Sequence, residues 1–216
     1  MRLRNIPGAD DAIAQNTCVI KKPERYKGKW STVFGNSNPI RLEIGMGKGR
    51  FLMKHAMKHP DVNYIGVEMY SSVLYRALER KEKEEFQGLD NIRFLCLDAR
   101  YLSDVFAPNE IDRIYLNFSD PWPKARHAKR RLTSKEFLKR YEEYLRSDGI
   151  LEFKTDNTAL FRFSLEQVKE AGWHMHQYSF DLHNNAKMSE GNIMTEYEHK
   201  FSSKGMPINK LIASRT

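Results

Sequence analysis

"IRLEIGMGKGRFLMKHAMKH", residues 40–59, decides the fold. Ile40, Leu42 and Ile44 stand at alternate positions as in a strand, and Gly45, Gly47 and Gly49 then fall at every second position. Residues 50–59 carry apolar side chains at helical spacing until Pro60 stops them. A strand, a glycine turn and a helix in that order form the opening unit of a doubly wound α/β sheet.

The pattern repeats outward from there. "NYIGVEM" (63–69) is strand-like, and residues 71–85 follow as a helix with Val73, Leu74, Ala77, Leu78 and Lys81 on one face. "NIRFLCLDA" (91–99) and "IDRIYLNFSD" (111–120) supply two more strands. Thr133 and Glu136 have capping-box spacing ahead of a helix traced by Phe137, Leu138, Tyr141, Tyr144 and Leu145. Residues 149–156 read as a fifth strand and residues 158–172 as a helix closed by Gly172. The remainder, including "MTEYEHKFSSKGMPINKLIAS", alternates like antiparallel strands. The expectation is an α/β, doubly wound, mostly parallel seven-stranded sheet over residues 39–216. Residues 1–38, polar and basic, read as an N-terminal arm outside it.

Composition narrows the function. The chain has 216 residues, 40% hydrophobic and 30% charged, which suits a globular core with a solvated surface. Its net charge of +8 favours an acidic partner. Cys18 and Cys96 have no paired spacing, and His174 and His176 have no cysteine partners, so neither a disulfide framework nor a metal site is expected. No stretch approaches the ~20 apolar residues of a membrane helix, and residues 1–15 do not read as a secretory signal. A cytoplasmic protein is expected; monomer or homodimer is left open.

In doubly wound sheets ligands bind at the carboxyl ends of the strands. Acids stand at each of those ends here: Glu43, Glu68, Asp98, Asp120 and Asp156. The glycine turn departs from the dinucleotide fingerprint, because Arg50 occupies the third glycine's place. Glu43 beside the glycines would repel a pyrophosphate and attract a cation. Glu68, about 20 residues beyond the glycines, can accept from a ribose diol. A ribose and positive charge without phosphate describe S-adenosylmethionine.

"NFSDPWPKARHAKRR", residues 117–131, follows the fourth strand. It carries Asp120 just ahead of Pro121, Trp122 and Pro123 and closes with Lys124, Arg126, Lys129, Arg130 and Arg131, a run suited to RNA phosphates. Trp122 reads first as a core residue, with packing beside a base as the alternative. Taken alone, Thr195, Tyr197 and His199 share one face of an exposed strand and Glu196 and Glu198 the other.

"EIGMGKG", the acids Glu68 and Asp98, "SDPWPKARHAKRR" and "TEYE" together resemble the bacterial tRNA (guanine-N7-)-methyltransferase family. The resemblance covers nearly the whole chain after the arm and implies a class I methyltransferase fold. It implies that Glu43, Gly45, Gly47, Glu68, Asp98 and Asp120 line the S-adenosylmethionine site, with Asp120 also catalytic. Lys124, Asp156, Thr195, Glu196, Tyr197 and Glu198 would contact the substrate. Arg126, His127, Ala128, Lys129, Arg130 and Arg131 would contact tRNA, whose variable loop carries the target guanine. Two rivals remain at this level: a methyltransferase of an exocyclic amino group, whose motif carries proline where this chain has Trp122, and a non-catalytic RNA-binding protein of the same fold.

Overall fold

All six residues of strand β2 (Asn63–Glu68) are buried, as in a strand covered on both faces. It pairs in parallel with β1 (Ile40–Ile44) and β3 (Ile92–Cys96). These elements belong to a computed structural model that describes residues 6–215 and divides into two units, Met1–Ala107 and Pro108–Thr216.

In the first unit the helices are α1 (Ala9–Gln15), α2 (Trp30–Phe34), α3 (Arg50–Lys58), α4 (Ser71–Lys81) and α5 (Leu102–Val105). Helix α3 starts at Gly49, whose φ of 71° suits glycine, and buries Phe51, Leu52, Met53 and Ala56. Helix α4 buries Leu74, Ala77 and Leu78, part of the apolar face read from the sequence. The core between them includes Met46, Tyr64, Phe86, Ile92 and Phe94. Gly66 of β2 lies so close to this layer that an added Cβ would strike Met46 Sδ.

The second unit holds β4 (Ile111–Asn117), β5 (Leu145–Thr155), β6 (His174–Ser179) and β7 (Asn209–Ser214). Its helices are α6 (Lys135–Glu142), α7 (Thr158–Glu170), α8 (Ala186–Ser189) and α9 (Glu196–Ser202). Strand β5 runs parallel to β4 and antiparallel to β7, which pairs antiparallel with β6. The seven strands follow the order β3-β2-β1-β4-β5-β7-β6. The doubly wound, mostly parallel sheet expected from the sequence is present.

Three local readings need correction. The segment before β1 is not an arm outside the sheet from Ile6 onward; residues 1–5 lie outside the described residues. Val19 forms a parallel bridge with Phe94 beyond β3, and Trp30 is fully buried with its Nε1–H donating to Val105 O at 3.2 Å. Its few apolar anchors, Ile13, Val19 and Trp30, are too widely spaced to produce a periodic signal. Helix α6 is capped by Ser134, whose Oγ accepts from Phe137 N–H, while Thr133 Oγ1 lies 2.7 Å from Ser164 Oγ. The stretch "TEYE" is not a strand. Thr195 is the N-cap of α9 and closes a complete capping box with Glu198, so local backbone satisfaction overrides the alternating pattern.

The placement of Trp30 has a measurable consequence. Trp30→Ala removes a fully buried ring and the hydrogen bond to Val105, and is expected to cost about 3–5 kcal/mol of stability. Urea unfolding of wild type and variant measures the difference; a loss under about 1 kcal/mol would return this segment to the periphery.

Candidate active site

At the end of β1 the chain turns through Gly45 and Gly47, with φ of 74° and 57°. A Cβ added at either position would meet nothing within 4 Å, so packing does not require glycine there. The left-handed backbone does, and it leaves main chain rather than side chains bordering the space. Val67 O accepts from both Gly45 N–H (2.9 Å) and Met46 N–H (3.1 Å), which ties the turn to the end of β2.

Glu68, the last residue of β2, is 7% exposed. Its Oε2 accepts from Gly47 N–H at 3.1 Å and its Oε1 from Tyr70 N–H at 3.0 Å. These two backbone donors fix the direction of the carboxylate. Glu43 is also buried, on β1 and in register with Gly66. Asp98 follows β3; its Oδ1 caps the short turn Ala99–Tyr101, and both oxygens accept from the Arg100 guanidinium at 2.8–3.1 Å. These residues fit the polar half of a nucleoside: a glycine-bordered space, an oriented acceptor at a strand end and a second acid one strand away.

In the second unit, β4 ends at Asn117, and Phe118 N–H still reaches Lys154 O on β5 at 2.8 Å. Phe118 (φ 52°) and Trp122 (φ 42°) both adopt the left-handed region, which is rare and costly for bulky residues. The exposed Asp120 lies between these two strained positions. Arg131 holds this loop: its Nε donates to Pro121 O at 3.0 Å, one terminal nitrogen to Trp122 O at 3.1 Å, and its guanidinium lies 4.2 Å over the Phe163 ring.

Arg131 thus anchors the loop, with two of its five N–H donors going to the loop's own carbonyls. The rest of the run, Ala125–Arg130, forms a 3-10 turn on which Arg126, Lys129 and Arg130 are exposed and His127 and Ala128 half-buried; Lys124, just before it, is exposed as well. Lys129 also lies 3.7 Å from Glu136, a contact open to solvent and therefore weak. Trp122 is not a core residue. It is half-buried, with the Arg130 guanidinium 5.1 Å over its ring and His127 edge-on at 5.6 Å.

The stretch from Thr195 to Glu198 divides by role. Tyr197 is 42% exposed; its hydroxyl donates to Asp156 Oδ2 at 3.2 Å, and its ring meets Phe118 at 4.8 Å and Phe201 at 4.2 Å. Burial, helped by Asp156, raises the Tyr197 phenol above its ordinary range. Glu196 is exposed, whereas Thr195 accepts from Glu198 N–H as a cap. Glu198 is fully buried: Lys154 Nζ (2.6 Å), Asn192 Nδ2 (2.7 Å) and Thr195 N–H (3.3 Å) all donate to it. Burial pushes the Lys154 ammonium down while Glu198 works the other way. Nothing in the sequence marked Lys154 except its place in a strand. Among the described residues, no group of three or more His, Cys, Asp or Glu side chains could hold a metal ion.

Residues 37–211 match a family described as "Putative methyltransferase". The chain is 60% identical over 215 residues to a tRNA (guanine-N(7)-)-methyltransferase of Lachnoclostridium phytofermentans, covering 100% of this chain and 99% of that one. It is 52% identical over 209 residues to the protein of the same name from Bacillus subtilis, covering 96% of each. Among solved structures, the 16S rRNA methyltransferase KamB matches at a TM-score of 0.64 and 13% identity, covering 88% of this chain and 93% of that one, a likeness of fold. With such identity extending over its full length, the chain belongs to the tRNA (guanine-N(7)-)-methyltransferase family.

Proposed function

We propose that this protein transfers a methyl group from S-adenosylmethionine to N7 of a guanine in the variable loop of tRNA. The observation that carries the reading is the 60% identity across 215 residues to a relative named for that reaction. The oriented Glu68, the glycine turn and the strained loop bearing Asp120 support it. A tRNA substrate places the reaction in the cytoplasm; among the described residues, no helix is long and apolar enough to cross a membrane.

S-adenosylmethionine supplies an electrophilic methyl group on a sulfonium. Glu68 would accept from its ribose diol, Asp98 would stand toward the nucleoside and Glu43 would oppose the positive end. Gly45 and Gly47 would let the backbone approach. Guanine N7 carries an in-plane lone pair and no proton, so it needs no general base: as the N7–methyl bond forms the methyl–sulfur bond breaks, and neutral S-adenosylhomocysteine leaves. Positive charge then accumulates on the purine, and the Asp120 carboxylate stabilises it electrostatically or holds the base by its N–H edge. Lys124, Asp156 and Tyr197 border the target nucleoside, with Thr195 and Glu196 beside them. Arg126, Lys129 and Arg130 take phosphates, helped by the half-buried His127 and Ala128 backbone. The guanine leaves its stack to be reached.

Removing the ribose acceptors in Glu68→Ala should weaken S-adenosylmethionine binding by roughly 1.5–3 kcal/mol, the worth of hydrogen bonds to a charged group. Calorimetry on the folded variant reads this directly, and unchanged affinity would take Glu68 out of the cofactor site.

Neutralising Arg126, Lys129 and Arg130 should weaken tRNA binding and lower its salt dependence by about 0.7–0.9 in slope per lost phosphate contact. Arg131→Ala should behave differently, lowering turnover through the loop with little change in slope. Equal slope changes at Arg131 and Arg130 would contradict the division of labour drawn here.

The reaction itself is tested with tRNA carrying 7-deazaguanine at the target position. That RNA should bind normally and accept no methyl group, whereas an exocyclic amino methyltransferase would still modify it. Asp120→Ala should nearly abolish single-turnover transfer to ordinary tRNA while tRNA and cofactor still bind. Label on the deaza substrate would overturn the N7 assignment.

A further inference from the structure

We propose that Lys154 is a positioning residue for the target nucleoside, holding α9 so that Tyr197 presents its exposed face beside Asp156. This rests on the reading of Tyr197 and Asp156 as substrate contacts.

Lys154 lies on β5 with its side chain 5% exposed. An ammonium has three protons to donate, and each has an acceptor here: Glu198 Oε2 at 2.6 Å, Ile193 O at 3.1 Å and Asn192 Oδ1 at 3.2 Å. All three acceptors belong to the short stretch leading into the first turn of α9. Glu198 completes the arrangement by accepting from Asn192 Nδ2 and from Thr195 N–H, with His183 Nε2 3.4 Å away. The flanking charges are Lys210, directly across in the β5–β7 register, and Glu152, which Lys210 and Arg113 contact. Glu152 pairs with Lys210 and Arg113 and favours the Lys154 charge from nearby, while Glu198 bonds Lys154 directly.

The apolar packing under this stretch is modest: Leu182, Met188 and Ile208, with Phe118, Phe201 and Ile212 against them. Such a cluster fixes that α9 docks, but greasy contacts do not specify the rotation of its first turn. Directional bonds from one buried nitrogen do. Lys154 is joined to the Asp120 loop as well, since its carbonyl accepts from Phe118 N–H, and Phe118 touches Tyr197. One residue thus registers the loop after β4, the acid after β5 and the aromatic ring of α9 to one another.

The experiment compares wild type, Lys154→Met and the double variant Lys154→Met/Glu198→Met. It measures melting temperature, S-adenosylmethionine affinity, and kcat and KM for tRNA. Removing one partner strands a buried charge, whereas replacing both with apolar residues restores neutrality. The melting temperature should fall in the single variant and recover in the double one. In the double variant kcat/KM for tRNA should nevertheless stay about 100-fold below wild type, a scale expected for a misplacement of about 1 Å. Affinity for S-adenosylmethionine should change less than about twofold in both. If Lys154→Met does not fold, the double variant decides alone. Catalytic efficiency that recovers together with the melting temperature would reduce Lys154 to a structural role and overturn the proposal. Wild type that fails to methylate tRNA in the same assay would instead overturn the functional reading.

Discussion

A lysine ammonium inside a protein demands an acceptor for every proton, and the C-terminal unit is arranged around that demand at Lys154. Burial penalises the charge, and a set of oxygens brought from elsewhere in the chain relieves it. Glu198, Ile193 and Asn192 supply them, so the segment after α8 must cross the end of β5 in one orientation. The capping box of α9 uses the same Glu198, which makes helix initiation and charge burial a single event. Tyr197, next in sequence, inherits its direction from that event and comes to rest on Phe118 and Asp156.

The glycine-turn unit obeys a different constraint. There Glu68 accepts from two main-chain N–H groups, those of Gly47 and Tyr70. Hydrogen bonds of this kind fix a carboxylate's direction and favour its charged form. Asp98 accepts from a side chain as well, since Arg100 grips both of its oxygens.

Much of this was legible in the sequence, for physical reasons that particular residues make plain. The parallel strands announce themselves through short clusters of buried apolar residues, Ile40, Leu42 and Ile44 in β1 and Ile114, Tyr115 and Leu116 in β4. The T-x-x-E spacing was less faithful: at Thr133 it marked no cap, because Ser134 one residue later took the role, and at Thr195 it marked a real one. The pattern states what a side chain can do, and tertiary competition, here Ser164 drawing off Thr133, decides whether it does so. Charge runs share this ambiguity. Arg130 and Arg131 are adjacent, yet one lies over Trp122 from outside and the other is spent inside the loop. No spacing rule separates them, because the difference is made by Phe163, distant in sequence. Trp30 escaped notice for the converse reason, a single large anchor in a polar neighbourhood.

Phe118 and Trp122 hold the left-handed backbone on either side of Asp120, where glycine would sit without strain. Each such residue costs on the order of 1–3 kcal/mol, a notable fraction of a domain's total stability. Glycine at position 118 would relieve the strain but lose the ring's packing against Leu182, Met188 and Ile208 and its contact with Tyr197. Position 122 is different, because the half-buried Trp122 ring meets Arg130 and His127 rather than the core. Selection for thermal robustness alone would drive position 122 toward glycine, and engineered hardening and activity should pull in opposite directions there.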